Sequence, residues 1–258
     1  MPETPIPKHR PVVPPPTSAR GTSAYRYAEL DVTTNFSFLR GASHADELVY
    51  RAAELGHEAI GVTDVNSVAG VVRAHQAAKE AGIKLCVGAR LCFTDAPDVL
   101  VWAENRSGYA GLCRLLTTGK RRTEKGSCTL HLEDLLATPA GILAAMVYRR
   151  IDPHVPDADP ASIEAAAGAL KDAFGRRVSV AISRVYGPLD PMMLRHAGEV
   201  SRAYGIPLLA TNQVHYHDAR RQPLQDVVTC VRHGGPALAG TPRCATRSDR
   251  HRRHRARR

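Results

Sequence analysis

A chain of 258 residues with 43% hydrophobic content can bury one substantial core. It has no apolar run long enough to span a bilayer, and its start lacks the charged-then-apolar pattern of a secretory signal. The formal net charge of +10 lies at the ends: residues 1–26 hold one Lys and three Arg against one acid, and residues 234–258 hold eight Arg against Asp249. The body between them has as many acidic as basic residues. Any steering toward phosphate therefore comes from the two ends, whose simpler reading is solvated tails.

Residues 1–24 include PIPKHRPVVPPPTSARGTS. Proline blocks helix and ladder bonding and little apolar material is present, so a disordered or extended leader is expected. From Tyr27 short apolar runs alternate with helical patterns. Leu30–Val32 reads as a first strand. Ser43-His44-Ala45-Asp46 reads as a capping box, and Leu48, Ala52 and Leu55 follow at helical spacing up to Gly56. Ala59–Val62 reads as a strand, 68–81 as a helix stopped by Gly82, Leu85–Val87 and Val99–Ala103 as strands, and 109–116 as a helix.

The alternation continues with a strand over Ile142–Val147 and a helix from Pro160 through Ala173 with Gly175 beyond it. A strand over Val178–Ile182, a helix over Pro191–Tyr204 ended by Gly205, and a strand over Ile206–Thr211 follow. Strands separated by helices of this length imply βαβ units and a mainly parallel α/β sheet. Six or seven units fit a closed barrel better than a small open sheet. Residues 234–258 contain one leucine and no other large aliphatic or aromatic side chain, so a disordered Arg-rich tail is expected there. The six cysteines form no C-x-x-C pair, which argues for incidental thiols in a reducing cytoplasm rather than a zinc ribbon or disulfide framework.

In barrels, reacting groups gather at the C-terminal ends of strands. Thr63-Asp64 and Asn212–His215 both follow strands, and carboxylate and imidazole groups converging there would hold divalent metals. Other polar positions have plainer readings. His44 and His75 fall on helices as solvated faces, and His217 falls at a barrel rim. His131 and His154 have no register that assigns them. Lys120, Arg121, Arg122 and Lys125 form a charge run whose common fate is solvation, with a phosphate-facing loop as the sharper alternative.

The phrases NFSFLRGASH, GVTD-x-NS-x-AGVVRAH, GY-x-x-LCRLLT-x-GKRR and LLATN-x-VHYH occur in that order. Over about residues 25–233 they make the chain resemble the polymerase-and-histidinol-phosphatase (PHP) domain that opens DnaE-type bacterial DNA polymerases, closest to the error-prone branch. The resemblance implies a distorted (β/α)7 barrel, damage-induced DNA synthesis by the parent enzyme, and parent polymerase domains or mutasome proteins as partners, with DNA contacted only indirectly and no membrane.

It also implies a metal cluster whose ligand positions are largely replaced here. The opening His-x-His falls on Asp31 and Thr33, and an acidic position falls on Arg40. Thr-Asp-His becomes Thr63-Asp64-Val65, Gly-x-Glu becomes Gly88-Ala89-Arg90, and Asn-Asp-x-His becomes Asn212-Gln213-Val214-His215. Asp64 and His215 are the best surviving metal candidates, with Asp31 a weaker third, and no residue is assigned to catalysis. A divalent metal, zinc or manganese, enters only if that residual site is occupied. The expectation is a degenerate, non-catalytic domain, truncated before the polymerase core by a reading-frame shift near Gly234. The alternatives are a metal-dependent phosphoesterase and non-specific nucleic-acid binding through the basic tail.

Overall fold

The computed structural model describes residues 26–148, 160–184 and 190–234. The expected leader, the expected tail beyond Gly234, and His154 lie outside these residues. Seven strands form one sheet in chain order: β1 (Ala28–Val32), β2 (Ala59–Val65), β3 (Lys84–Leu91), β4 (Val99–Ala103), β5 (Ile142–Val147), β6 (Val178–Ser183) and β7 (Leu208–Thr211). Helices α1 (Ala45–Glu54), α2 (Val71–Ala81), α3 (Arg106–Arg121), α4 (Leu132–Leu136), α5 (Pro160–Phe174) and α6 (Asp190–Tyr204) cover it, and α7 (Gln222–His233) ends the described chain.

The sheet curls into a nearly closed barrel. β1 and β7 meet through a single parallel bridge, Val32 with Val214, in which the Thr33 amide donates to the Val214 carbonyl at 2.9 Å and the Val214 amide to that of Asp31 at 2.8 Å. The α/β barrel expected from the sequence is thus present, with one difference. β4 runs antiparallel to both neighbours, because β3 and β4 are joined by a short connection without a helix. Parallel pairing needs a crossover of about a dozen residues or more, so the short β3–β4 connection folds back as a hairpin, and β5 then starts from the end at which β4 finishes. The reversal puts the start of β4 on the same rim as the C-terminal ends of the other six strands.

Two apolar layers hold the barrel together. Outside, α1 buries Ala45, Leu48, Val49, Ala52 and Ala53, the spacing of one helix face, against Ala74, Ala77 and Ala78 of α2 and against Val32, Ile60 and Val62. Inside, Leu30, Cys86, Leu100, Trp102, Ala145, Val147, Ala181 and Leu209 meet. Trp102 plugs this interior and donates its indole N–H to the Leu30 carbonyl at 3.2 Å. Room for it comes from two glycines. A Cβ on Gly61 would lie 2.9 Å from the indole nitrogen, and one on Gly88 would lie 2.7 Å from Trp102 Cδ1 and 2.3 Å from the Val101 carbonyl oxygen.

Gly82 ends its helix as expected, and Gly234 ends one the sequence reading did not assign. Gly82 and Gly234 take left-handed backbone at φ 64°, closing α2 and α7. The α1 cap lies one residue later than the sequence reading. His44 is the N-cap, and its amide donates to Glu47 Oε2 at 2.8 Å. Ser43 is engaged elsewhere: its hydroxyl accepts the His217 amide at 3.0 Å and lies 2.8 Å from His217 Nδ1.

Candidate functional site

Successive strand residues face opposite sides, so each rim position can be assigned to the interior or to the helix layer. On β3, Arg90 is paired with Leu100 of β4, whose side chain belongs to the interior set, so Arg90 faces inward. On β2, Ile60 and Val62 pack on the helices. Thr63 therefore faces inward and Asp64 shares the outer face. On β1, the pairing register shifts between Glu29 and Val32. That irregularity brings Asp31 inward although Leu30, its neighbour, already packs inside.

Arg90 is fully buried and sits between two carboxylates. Its Nη1 lies 3.3 Å from Asp31 Oδ2, and its Nε donates to Asp98 Oδ2 at 3.1 Å. Burial works against the charged guanidinium, but Asp31 and Asp98 more than offset it and hold its pKa above the ordinary arginine value. Thr63 Oγ1 also donates to Asp31 Oδ1 at 3.2 Å. The Asp98 carbonyl accepts the Val147 amide at 2.8 Å, which ties this residue to the end of β5. Cys92, just past β3, lies close enough to feel the charges of Asp98, Arg90 and Arg40. Burial dominates and pushes its thiol up to about 12, so it stays protonated and unreactive.

Asp64 is buried as well, but its carboxylate serves the β1–α1 loop. Oδ1 accepts the Thr34 amide at 2.8 Å, the Thr34 hydroxyl at 3.0 Å and the Ser37 hydroxyl at 2.7 Å; Oδ2 accepts the Thr34 hydroxyl at 2.9 Å. Burial raises its pKa, and these donors only partly counter it. Gly70, ahead of α2, is needed beside it, since a Cβ there would lie 2.5 Å from Asp64 Oδ2.

His215 is buried past β7, and its carbonyl accepts the Ala42 amide at 2.9 Å. Thr33, Arg90 and Gln213 are also buried at this rim. The Arg40 carbonyl accepts from Gln225 Nε2 of α7 at 2.8 Å. Of the remaining histidines, His75 is exposed on α2, and His131 caps α4 with its Nδ1 3.1 Å from Thr94 Oγ1. The basic run is partly paired: Arg122 donates to Asp134 through its two terminal nitrogens, Nη1 and Nη2, at 2.5 and 2.7 Å.

Two acidic residues at this end of the molecule were not singled out from sequence. Asp98 is one. Glu29 is the other: it is buried, accepts the Asp31 amide at 3.0 Å, the Tyr27 hydroxyl at 2.7 Å, and both the amide (3.2 Å) and side-chain Nδ2 (2.9 Å) of Asn212. It thereby stitches β1 to the end of β7 where the ladder is missing. Burial raises its pKa.

This donor set does not fit a divalent cation. Cations are held by three or more convergent donors. Asp31 faces a guanidinium, and Asp64 is turned to a loop. No group of three or more His, Cys, Asp or Glu side chains able to hold a metal ion occurs among the described residues.

The PHP domain pattern matches residues 29–184, more than half of the chain. The chain belongs to the PHP domain family. It is 44% identical over 211 residues to error-prone DNA polymerase 1 of Agrobacterium fabrum, covering 82% of this chain and 19% of that protein. It is 45% identical over 207 residues to the error-prone DNA polymerase of Caulobacter vibrioides, covering 80% of this chain and 18% of that one. The chain thus spans about a fifth of the length of the curated relatives it matches. Among solved structures, a candidate metal-dependent phosphoesterase from Bifidobacterium adolescentis superposes with a TM-score of 0.57 at 13% identity, over 78% of this chain and 89% of that one. An amidohydrolase from Chromobacterium violaceum, with sulfate bound and no metal, gives 0.54 at 16% identity, over 73% and 87%. These two likenesses concern the PHP fold alone. No helix among the described residues is long and apolar enough to cross a membrane.

Proposed function

We propose that this chain is a degenerate, non-catalytic PHP domain of an error-prone DNA polymerase, acting in damage-induced DNA synthesis through structure and contacts rather than hydrolysis. The observation that carries it is that the carboxylates at the barrel rim are already committed to donors from the protein. Asp31 is taken by Arg90 and Thr63, and Asp64 by Thr34 and Ser37. A metal-activated water needs those oxygens directed at the ion, and a hydrolytic PHP site needs that water.

The identity to error-prone polymerases supports the polymerase context. An exposed apolar stripe on α7, Leu224, Val227 and Val231, supports a contact role toward the remaining polymerase domains or mutasome proteins. The decisive experiment is metal analysis of the purified full chain, with phosphoesterase assays in manganese and zinc. The expected result is no stoichiometric metal and no turnover. Stoichiometric metal with turnover that disappears in Asp64→Ala would overturn the reading.

A further inference from the structure

We propose that the Arg90 guanidinium is the resident cation of this barrel: it takes over the charge-neutralising role a metal plays in a liganded site, which makes the fold independent of divalent metal and closes the rim to one. The inference deepens the non-catalytic reading and rests on it.

The argument begins with electrostatics. Asp31 and Asp98 come from separate segments, one at the end of β1 and one before β4, and both are buried. Two carboxylates facing one buried space repel each other, and each resists ionisation unless a cation lies between them. Arg90 supplies that cation through two different nitrogens, Nη1 toward Asp31 and Nε toward Asp98. A planar fork with several fixed donors can bridge two carboxylates in this way, whereas a lysine ammonium is a point charge. The guanidinium is always charged, so unlike a metal it cannot be chelated away.

Position in the barrel matters as much as charge. Arg90 is held by its strand: its carbonyl accepts the Asn66 amide at 2.8 Å, and its backbone pairs with Val65 on one side and Leu100 on the other. Two features feed it its partners. The shift in the β1–β2 register turns Asp31 inward, and the reversal of β4 places Asp98 at the rim instead of the opposite end. Below it, Trp102 and Leu100 fill the interior. The cation thus sits between an apolar plug and a ring of polar rim residues, clamping β1, β3 and the start of β4 together.

The proposal is tested on the full 258-residue chain by thermal unfolding, with and without EDTA and with added manganese or zinc. The unsubstituted protein is expected to melt at the same temperature in all of these. Arg90→Met keeps most of the volume, removes the charge and strands two buried carboxylates, so its melting temperature is expected to fall by about 10 °C. Arg90→Lys, a point charge in place of the fork, falls between the two. The decisive variant is Arg90→Met combined with Asp31→Asn and Asp98→Asn. Removing the repelling charges is expected to restore most of the loss.

If Arg90→Met yields no folded protein, folded protein from the neutralised triple variant is the same supporting result. A triple variant no more stable or soluble than Arg90→Met overturns the proposal, because Arg90 would then act through packing alone. Stoichiometric metal in the unsubstituted chain gives a different failure, since it sinks the non-catalytic reading itself.

Discussion

Asp64 offers the sharpest separation between a ligand and a structural anchor. Its carboxylate receives the Thr34 amide, the Thr34 hydroxyl and the Ser37 hydroxyl, all from the β1–α1 loop, and both donor residues are buried. In Asp64→Ala the Thr34 amide loses its acceptor in a place water does not reach. An orphaned buried donor costs about 1–3 kcal/mol, and each lost hydrogen bond about 1 kcal/mol net. Against this stands relief from burying a charge, which the raised pKa of Asp64 shows to be unfavourable. A net loss of about 3 kcal/mol is expected, or roughly 10 °C in melting temperature for a domain of this size. Asp64→Asn behaves differently. Its Oδ1 can still accept from the Thr34 amide and the Ser37 hydroxyl, and its Nδ2 can donate to Thr34 Oγ1, so it should lie within about 1 kcal/mol of the unsubstituted protein. Urea denaturation of the three proteins measures this, and limited proteolysis reports whether the segment 33–44 loosens in Asp64→Ala. An anchor predicts that Asn is tolerated and that metal content is unchanged. Asn as damaging as Ala, or a loss of bound metal in Asp64→Asn, would refute the anchor.

Glu29 predicts a pH dependence. Its folded-state pKa is raised by burial, so the folded protein holds this proton more tightly than the unfolded chain does. Its contribution is full below the ordinary glutamate value of about 4.3 and is lost as pH rises through the raised value. Asp64 shifts the same way, so the urea midpoint should fall as pH rises above the ordinary carboxylate range, and Glu29→Gln should flatten that slope. An unchanged slope in Glu29→Gln combined with Asp64→Asn would remove both groups as its source. Gly88→Ala tests the interior plug. Its Cβ would meet the Val101 carbonyl oxygen at 2.3 Å and Trp102 at 2.7 Å, and neither can move without disturbing β4, so a loss of about 3 kcal/mol is expected in thermal melts. The control is Gly198→Ala in α6, which meets nothing within 4 Å and should be neutral or gain up to about 1 kcal/mol.

Elements with a strong local signature were legible in the sequence. The strands at Val99–Ala103 and Ile142–Val147 lie where the apolar runs put them, and α2 stops at the glycine that could turn left-handed. The direction of β4 was not legible, because a strand's residue pattern is the same in either sense and only its connections fix its polarity. α4 has five residues, too few for a periodic pattern. α7 did carry a signal that went unassigned: Leu224, Val227, Val228 and Val231 fall at i, i+3, i+4 and i+7, the spacing of one helix face. Asp98 resembles a polar residue in a turn before a strand. The available signal was Arg90 itself, a charge inside the apolar run KLCVGARLCF, since an arginine there requires a buried partner. Glu29, in AELDV, gives a weaker hint of the same kind.

Charge complementarity also bears on how two rim positions depend on each other. The family resemblance implies a histidine where Asp31 stands and a glutamate where Arg90 stands. Relative to that pattern one position has gained a negative charge, and the other has exchanged a negative for a positive one. Either change alone is unfavourable in a buried rim. Asp31 without Arg90 adds a carboxylate beside Asp98, and Arg90 without an inward acid is a guanidinium with one partner fewer, each a cost of several kcal/mol. Together they make the 3.3 Å contact that spans the barrel between β1 and β3. The two substitutions are therefore energetically coupled, and in a double-mutant cycle Arg90→Met and Asp31→Asn should show an interaction of about 1–3 kcal/mol. A coupling that large would show that replacing Asp31 or Arg90 alone costs the domain stability that the paired replacement regains.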